Sequence, residues 1–151
     1  MSCTDWTSSF LPKDASISRR YHAFSRLTKD GCYRAVNGTP HRYVYLAETD
    51  GASSLPTDIT KVDVDTGTAH RWRESGTHPG EPLFVPAPEA ENEDDGVLLS
   101  VVLDPEADRS RLVCLNAETL GELGRAELPH RLPFGFHGQF YGPVAPGRSM
   151  A

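Results

Sequence analysis

The sequence is poor in several features that mark common functional classes. Its 151 residues include only three cysteines, Cys3, Cys32 and Cys114, an odd number with wide separations. No CxxC pair occurs, so the sequence supports neither a disulfide framework nor a zinc site. The longest apolar stretch, Val97–Leu103, is interrupted by a serine and is far too short to cross a bilayer. The formal net charge of −6 argues against a nucleic-acid-binding surface.

Other signals are also missing. The N-terminus has no basic segment followed by an apolar run, so no secretory signal is predicted and a reducing cytoplasm is the expected location. No HExxH, GxxxxGK[ST] or GxSxG pattern occurs, which gives no support to a zinc protease, a P-loop nucleotide site or a serine hydrolase.

The sequence is rich in turn-forming residues. Twelve prolines and thirteen glycines favour short strands over long helices. Residues 1–37 hold no regular period and are predicted to be a poorly patterned N-terminal segment. Strand signals become regular within residues 38–141, and residues 142–151 are expected to form a flexible tail.

Two similar units follow each other in the patterned region. In the first, Arg42–Glu48 is apolar on both faces, as a buried central strand would be, and a half-solvated outer hairpin turns at Asp65-Thr66-Gly67. The second unit follows after roughly 50 residues, a period within the range of propeller blades. Its predicted strands are Pro82–Val85, Val97–Leu103 (predicted to be buried), Arg111–Asn116 and Gly124–Leu128.

A histidine near the C-terminus stands out from its surroundings. His137 lies in the segment Phe134–Gly138, which is predicted to be a short extended strand that alternates with bulky apolar residues. Gly135 and Gly138 leave room for a close approach to the imidazole. Taken alone, a histidine among aromatic residues is more often a hydrogen-bonded core residue than a metal ligand.

Four segments taken together carry a family resemblance. They are Glu81-Pro82-Leu83-Phe84-Val85-Pro86, Glu93-Asp94-Asp95-Gly96-Val97-Leu98-Leu99-Ser100-Val101-Val102, Leu112-Val113-Cys114-Leu115-Asn116-Ala117 and Leu128-Pro129-His130-Arg131-Leu132-Pro133-Phe134-Gly135-Phe136-His137-Gly138. In this order and at these spacings, they resemble the C-terminal end of the carotenoid cleavage oxygenases, a family that includes the retinal-pigment-epithelium isomerase and the lignostilbene dioxygenases. The resemblance runs from about Arg42 to Phe140.

The resemblance implies an all-β fold. It implies a partial seven-bladed β-propeller of about one and a half to two blades of antiparallel strands. In the family, a non-haem Fe(II) on the propeller axis is held by four histidines, and O2 is used to cleave a conjugated C=C bond of a carotenoid, apocarotenoid or stilbene. The expected cofactor is therefore Fe(2+), and the expected substrate is a hydrophobic polyene or stilbene.

The resemblance also assigns two site residues. His137 occupies the position of the family's last iron ligand. Glu81 occupies the position of a glutamate that accepts a hydrogen bond from an iron-bound histidine, which would fix its tautomer and orientation; the alternative is a glutamate that caps a turn before Pro82. Phe10 stands where another such acidic residue is expected, so that support is predicted to be absent.

The remaining polar candidates have simpler interpretations. Packing or surface positions are expected for His22, His41, His70, His78 and His130. The acidic run Glu89–Asp95 lacks the spacing of a calcium loop and is interpreted as solvated.

Three functional hypotheses remain open. In the first, the chain is the C-terminal part of a dioxygenase, works with an upstream polypeptide that supplies the other blades and three more histidines, and is inactive alone. Alternatively it is a non-catalytic propeller relic or β-rich interaction module, or a metal-free fragment that pairs its open edges in an oligomer. A truncated or split gene is the expected origin, and the complete enzyme is expected in the cytoplasm, with peripheral membrane contact as an option.

Overall fold

The protein is described by a computed structural model that covers residues 21–24, 41–135, 138 and 140. All regular structure in these residues is β-strand, and every strand pair is antiparallel. The strands form two sheets that correspond to two blades of a β-propeller. The strands are β1 (Tyr21–Phe24), β2 (Tyr43–Glu48), β3 (Asp58–Asp63), β4 (Ala69–Arg73), β5 (His78–Pro79), β6 (Leu83–Pro86), β7 (Gly96–Asp104), β8 (Arg109–Asn116) and β9 (Glu122–Glu127).

The first blade is a four-stranded meander in the order β1-β2-β3-β4. Its edge strand β1 comes from the N-terminal segment, in which the sequence showed no regular pattern. That strand was not predicted. The turn between β3 and β4 was predicted correctly. Its Gly67 has a φ of +71°, a conformation that favours glycine.

The second blade has the order β5-β7-β8-β9, with β6 also paired to β7. Strands β5 and β6 pair with successive parts of β7, so they act as two halves of one interrupted strand. The predicted second unit is therefore confirmed. Of the predicted strand Phe134–Gly138, residues 136 and 137 lie outside the described residues, and Phe134, Gly135 and Gly138 belong to no strand.

The main hydrophobic core lies between the two blades. Tyr45 and Ile59 from the first blade pack with Phe84, Leu98 and other buried residues of the second. The Tyr45 and Phe84 rings stack with centroids 5.8 Å apart, and the Tyr45 hydroxyl donates to the Ala117 carbonyl oxygen at 2.9 Å. Because both faces of β2 are buried, its prediction as a central strand is confirmed.

The hairpin of β3 and β4 is half-solvated, as predicted: all six residues of β3 are buried, whereas β4 is largely exposed. Strand β7 was predicted to be buried, but its exposure alternates: Leu98, Ser100 and Val102 face the inter-blade core, whereas Val101 is 40% exposed. Burial depends on which face of a strand meets the neighbouring blade, and the stacking of the sheets decides that.

The acidic run Glu89–Asp95 was predicted to be a solvated loop, but two of its residues contact the first blade. The Glu93 carboxylate accepts hydrogen bonds from the backbone N–H groups of Arg42 and Tyr43, at 2.8 and 3.1 Å. The next residue, Asp94, forms a buried ion pair with Lys61. This loop of the second blade therefore ties the two blades together. A second tie is Glu74, whose Oε1 lies 3.0 Å from an Arg111 nitrogen.

No helix in the described part of the chain is long and apolar enough to cross a membrane.

Candidate metal-supporting site

The break between β5 and β6 places Glu81. Strand β5 pairs with Val102 and Leu103, and β6 resumes pairing at Leu99, so Gly80, Glu81 and Pro82 lie opposite the middle of β7 without regular pairing. Breaks of this kind locally redirect a strand and re-aim a side chain. Pro82 lacks an N–H and restricts Glu81 to extended conformations, which is compatible with the interruption.

The peptide groups on both sides of Gly80 are held by β7. The Gly80 N–H donates to the Val101 carbonyl oxygen at 2.9 Å. The Ser100 hydroxyl donates to the Gly80 carbonyl oxygen at 3.0 Å, and Ser100 is 2% exposed. A side chain at position 80 would also be crowded, since an added Cβ would lie 3.1 Å from the Val101 oxygen.

Glu81 itself is buried, with 8% of its surface exposed. Its Oε2 accepts a hydrogen bond from the backbone N–H of Gly138 at 3.3 Å, across 57 positions of sequence. The structure thus brings Glu81 to the backbone of Gly138, which follows His137 in the sequence. Its role as support for a metal ligand stays a prediction.

The candidate ligand His137 lies outside the described residues, as does Phe10. Gly138, which follows His137 directly, is described. A Cβ added at Gly138 would lie 3.2 Å from Leu83 Cδ1, so this backbone packs closely against β6. The predicted room for a close approach to the His137 imidazole stays a prediction, because that side chain is not described.

The C-terminal segment is also anchored at its other end. The Leu132 N–H donates to the Ser110 hydroxyl at 3.1 Å, and Ser110 is fully buried in β8. Leu132 is thus held against β8, and Gly138 lies against the first residue of β6. The sequence missed both the Ser110 and the Ser100 contacts. The only signal was at Ser100, a small polar residue within an apolar run, whereas Ser110 lies between two arginines.

The other described histidines lie on or beside strands of both blades. His70 is exposed on β4, and His78 Nδ1 lies 3.0 Å from the Pro56 carbonyl oxygen. His130 is exposed beyond β9, and His41 lies two residues before the start of β2. Their predicted structural or surface positions agree with this, whereas His22 belongs to β1 and its side chain is outside the described part.

Among the described residues there is no group of three or more His, Cys, Asp or Glu side chains that could hold a metal ion. The donor set nevertheless suits a supporting role for iron. An imidazole is a common iron ligand, and a buried carboxylate beside such a ligand is a common partner for its second ring nitrogen.

Comparisons with known proteins identify relatives of this fold. A family model described as "Retinal pigment epithelial membrane protein" matches residues 32–142. The chain is 46% identical over 103 residues to the torulene dioxygenase of Fusarium fujikuroi, which covers 68% of this chain and 18% of that protein. It is 48% identical over 111 residues to the carotenoid dioxygenase of Neurospora crassa, which covers 73% of this chain and 18% of that protein.

A solved structure is similar as well. Cobalt-substituted Synechocystis ACO superimposes with a TM-score of 0.63 and 33% identity, over 66% of this chain and 22% of that one. The chain therefore spans about a fifth of the length of these curated relatives.

Proposed function

This chain belongs to the carotenoid cleavage oxygenase family, and we propose that it forms the C-terminal blades of an iron-dependent dioxygenase that cleaves a conjugated C=C bond with O2. The substrate would be a carotenoid, an apocarotenoid or a stilbene. The observation that carries the proposal is the hydrogen bond between the buried Glu81 carboxylate and Gly138, beside the candidate ligand.

In this proposal each of the two residues has one task. His137 would bind Fe(2+) through one imidazole nitrogen. Glu81 would accept a hydrogen bond from the other ring N–H, which would fix the tautomer and raise the basicity of the ligand. When bound, iron supplies the O2 chemistry that amino-acid side chains lack.

The other three histidines of the family's iron site would come from blades upstream of those described here. One ligand from this chain cannot hold Fe(2+) tightly, because catalytic metal sites need several protein ligands in fixed geometry. We therefore propose that this polypeptide alone is inactive. The printed names of its relatives, torulene dioxygenase and carotenoid dioxygenase, support a polyene substrate.

The outward face of the second blade supports a neighbouring blade as partner. Val97, Leu99 and Leu103 alternate with the core-facing residues of β7 and are only half-buried, and Val101 is 40% exposed. Propeller blades bury such faces against the next blade. We propose that an upstream blade, in the same or a separate polypeptide, covers this face. The three well-separated cysteines support a reducing, cytoplasmic location.

The proposal is tested by measuring bound iron per chain and the aldehyde products of carotenoid and stilbene cleavage, with and without the upstream blades. The expected result is neither iron nor product from this polypeptide alone and both from the assembled protein. His137→Ala should then abolish both, whereas His70→Ala, which changes an exposed histidine on β4, should leave them intact.

Two results would contradict the proposal. One-to-one iron binding and turnover by this polypeptide alone would mean that it holds all the ligands itself. An assembled protein that folds but neither binds iron nor cleaves a polyene or stilbene would favour the non-catalytic interaction module.

A further inference from the structure

Ser100 is buried in an otherwise apolar strand. Its neighbours on the core-facing side of β7 are Leu98 and Val102, and all three are at most 2% exposed. A buried hydroxyl needs a hydrogen-bond partner, because leaving it without one costs free energy. Its partner is the Gly80 carbonyl oxygen, at 3.0 Å, in the break between β5 and β6.

This hydrogen bond acts on the peptide group that leads into Glu81. The Gly80 carbonyl belongs to the peptide bond between Gly80 and Glu81, so Ser100 fixes the orientation of that peptide plane. The Val101 carbonyl oxygen fixes the preceding plane through the Gly80 N–H. On the other side of Glu81, Pro82 restricts the backbone to extended conformations. The direction of the Glu81 side chain is therefore determined from both sides.

The Glu81 carboxylate shows the effect of this positioning. Its Oε2 reaches the Gly138 N–H, and the rest of Gly138 packs against Leu83 in the same interrupted strand. A rotation of the Gly80–Glu81 peptide plane would move the carboxylate away from Gly138, because the break has no regular strand pairing of its own to hold it.

We propose that Ser100 is a positioning residue that, through the Gly80 carbonyl, aims Glu81 at the backbone of the segment that carries His137. Its importance for iron binding rests on the proposed function, but its effect on Gly138 does not. Ser100 touches neither metal nor substrate in this role. It determines whether Glu81 is already in place before a metal binds.

The Gly138 amide gives a direct readout in the metal-free polypeptide. His137-Gly138 is the only His–Gly pair in the sequence. Labelling histidine carbonyls with 13C and glycine amides with 15N therefore yields a single coupled signal, from Gly138. We expect Ser100→Ala to shift this signal and to speed its hydrogen exchange about 10-fold, the effect of weakening one hydrogen bond. Ser100→Thr, which keeps the hydroxyl, should restore the original behaviour.

Thr60→Val is the matched control. Thr60 is also a fully buried hydroxyl in a central strand, but it donates to Glu48 Oε2 at 2.7 Å in the first blade. Its removal should leave the Gly138 signal unchanged. If Ser100→Ala does not fold, Ser100→Cys, which has similar size and a weaker donor, takes its place with a smaller shift expected. An unchanged Gly138 signal in the folded Ser100 variant, or an equal change in Thr60→Val, would overturn the proposal.

Measurements of iron binding distinguish a failure of this inference from a failure of the proposed function. In the assembled protein, Ser100→Ala should lower iron affinity about 10-fold, the lower end of the usual effect of removing support from a ligand, while Thr60→Val should not. A Gly138 response without iron binding by the assembled wild type would contradict the proposed function alone. Iron binding by the wild type with no Gly138 response to Ser100→Ala would contradict this inference alone.

Discussion

Lys61 of the first blade and Asp94 of the second form an ion pair with 2.6 Å between Nζ and Oδ2, and both residues are buried. The Lys61 Nζ also donates to the Glu118 carbonyl oxygen at 2.9 Å, and it lies 4.1 Å from the centroid of the Tyr43 ring. The pair thus joins the two blades where the acidic loop of the second meets β2 and β3.

Breaking this pair on one side should strongly destabilise the protein. Lys61→Met would leave the Asp94 carboxylate buried without its partner, and we expect a loss of about 3–5 kcal/mol in the free energy of unfolding. Lys61→Met combined with Asp94→Leu should recover much of that loss. The measurement is urea denaturation. Arg131→Met, which breaks an exposed pair with Asp108, is the control and should cost less than about 1 kcal/mol. A double variant as unstable as Lys61→Met would disprove this explanation.

Acid should weaken the first blade through Asp63. Hydrogen bonds from Arg42, and then from the backbone N–H groups of Thr66 and Asp65, hold the pKa of the Asp63 carboxyl well below its usual value. A carboxyl with a lowered folded-state pKa stabilises the protein above its unfolded-state pKa, and this contribution declines as pH falls toward the folded-state value. We therefore expect Asp63 to stabilise fully above about pH 5 and progressively less below about pH 4.

The check is the urea midpoint between pH 7 and pH 2.5. Asp63→Asn keeps an oxygen that can accept the backbone hydrogen bonds but has no charge, so its midpoint should fall less steeply below pH 4. Asp65→Asn, at an exposed position, is the matched control and should follow the wild type. Identical slopes for the wild type and Asp63→Asn would show that Asp63 does not contribute to acid sensitivity.

Glu81→Gln should weaken the support of the metal ligand without disrupting the fold. Glutamine keeps one oxygen for the Gly138 N–H, but its NH2 group then takes the place of the second carboxylate oxygen and cannot accept from an imidazole N–H. In the assembled protein we expect a loss of about 10–100-fold in iron affinity or activity, with little change in the unfolding midpoint. Glu91→Gln, in the exposed part of the acidic loop, is the control. Unchanged iron content and rate would return Glu81 to a structural role.

Gly96→Ala should disrupt the start of β7. An added Cβ would lie 2.4 Å from the Val85 carbonyl oxygen and 2.9 Å from Phe84 Cζ, and the backbone oxygen cannot move aside without loss of strand pairing. We expect a loss of more than about 2 kcal/mol in the free energy of unfolding. Gly124→Ala, on the exposed strand β9, meets nothing within 4 Å and should stay within about 1 kcal/mol of the wild type. Equal midpoints for the two variants would contradict the predicted clash.

Strands β6, β7 and β8 of the second blade could be predicted because each contains a short apolar run near turn residues. That pattern reflects local backbone preferences and alternating burial, which a sequence displays directly. Strand β1 could not be predicted in the same way, because Tyr21–Phe24 lies in a segment with no regular pattern and its strand is defined by pairing with β2. Likewise, nothing local distinguishes the buried Lys61 from an ordinary exposed lysine on a hairpin.

The same distinction applies to the candidate site: part of it could be predicted from the sequence, and part depends on the tertiary structure. The order and spacing of four short segments were enough to indicate the family, the β-propeller fold and the two residues His137 and Glu81, since these are properties of the chain itself. Only the tertiary structure decided what Glu81 contacts, because the Gly138 N–H is 57 residues away in sequence and reaches it through an interrupted strand. The role of Ser100 was decided in the same way: its hydroxyl is one polar group in an apolar run until the stacking of β5, β6 and β7 brings the Gly80 carbonyl to it.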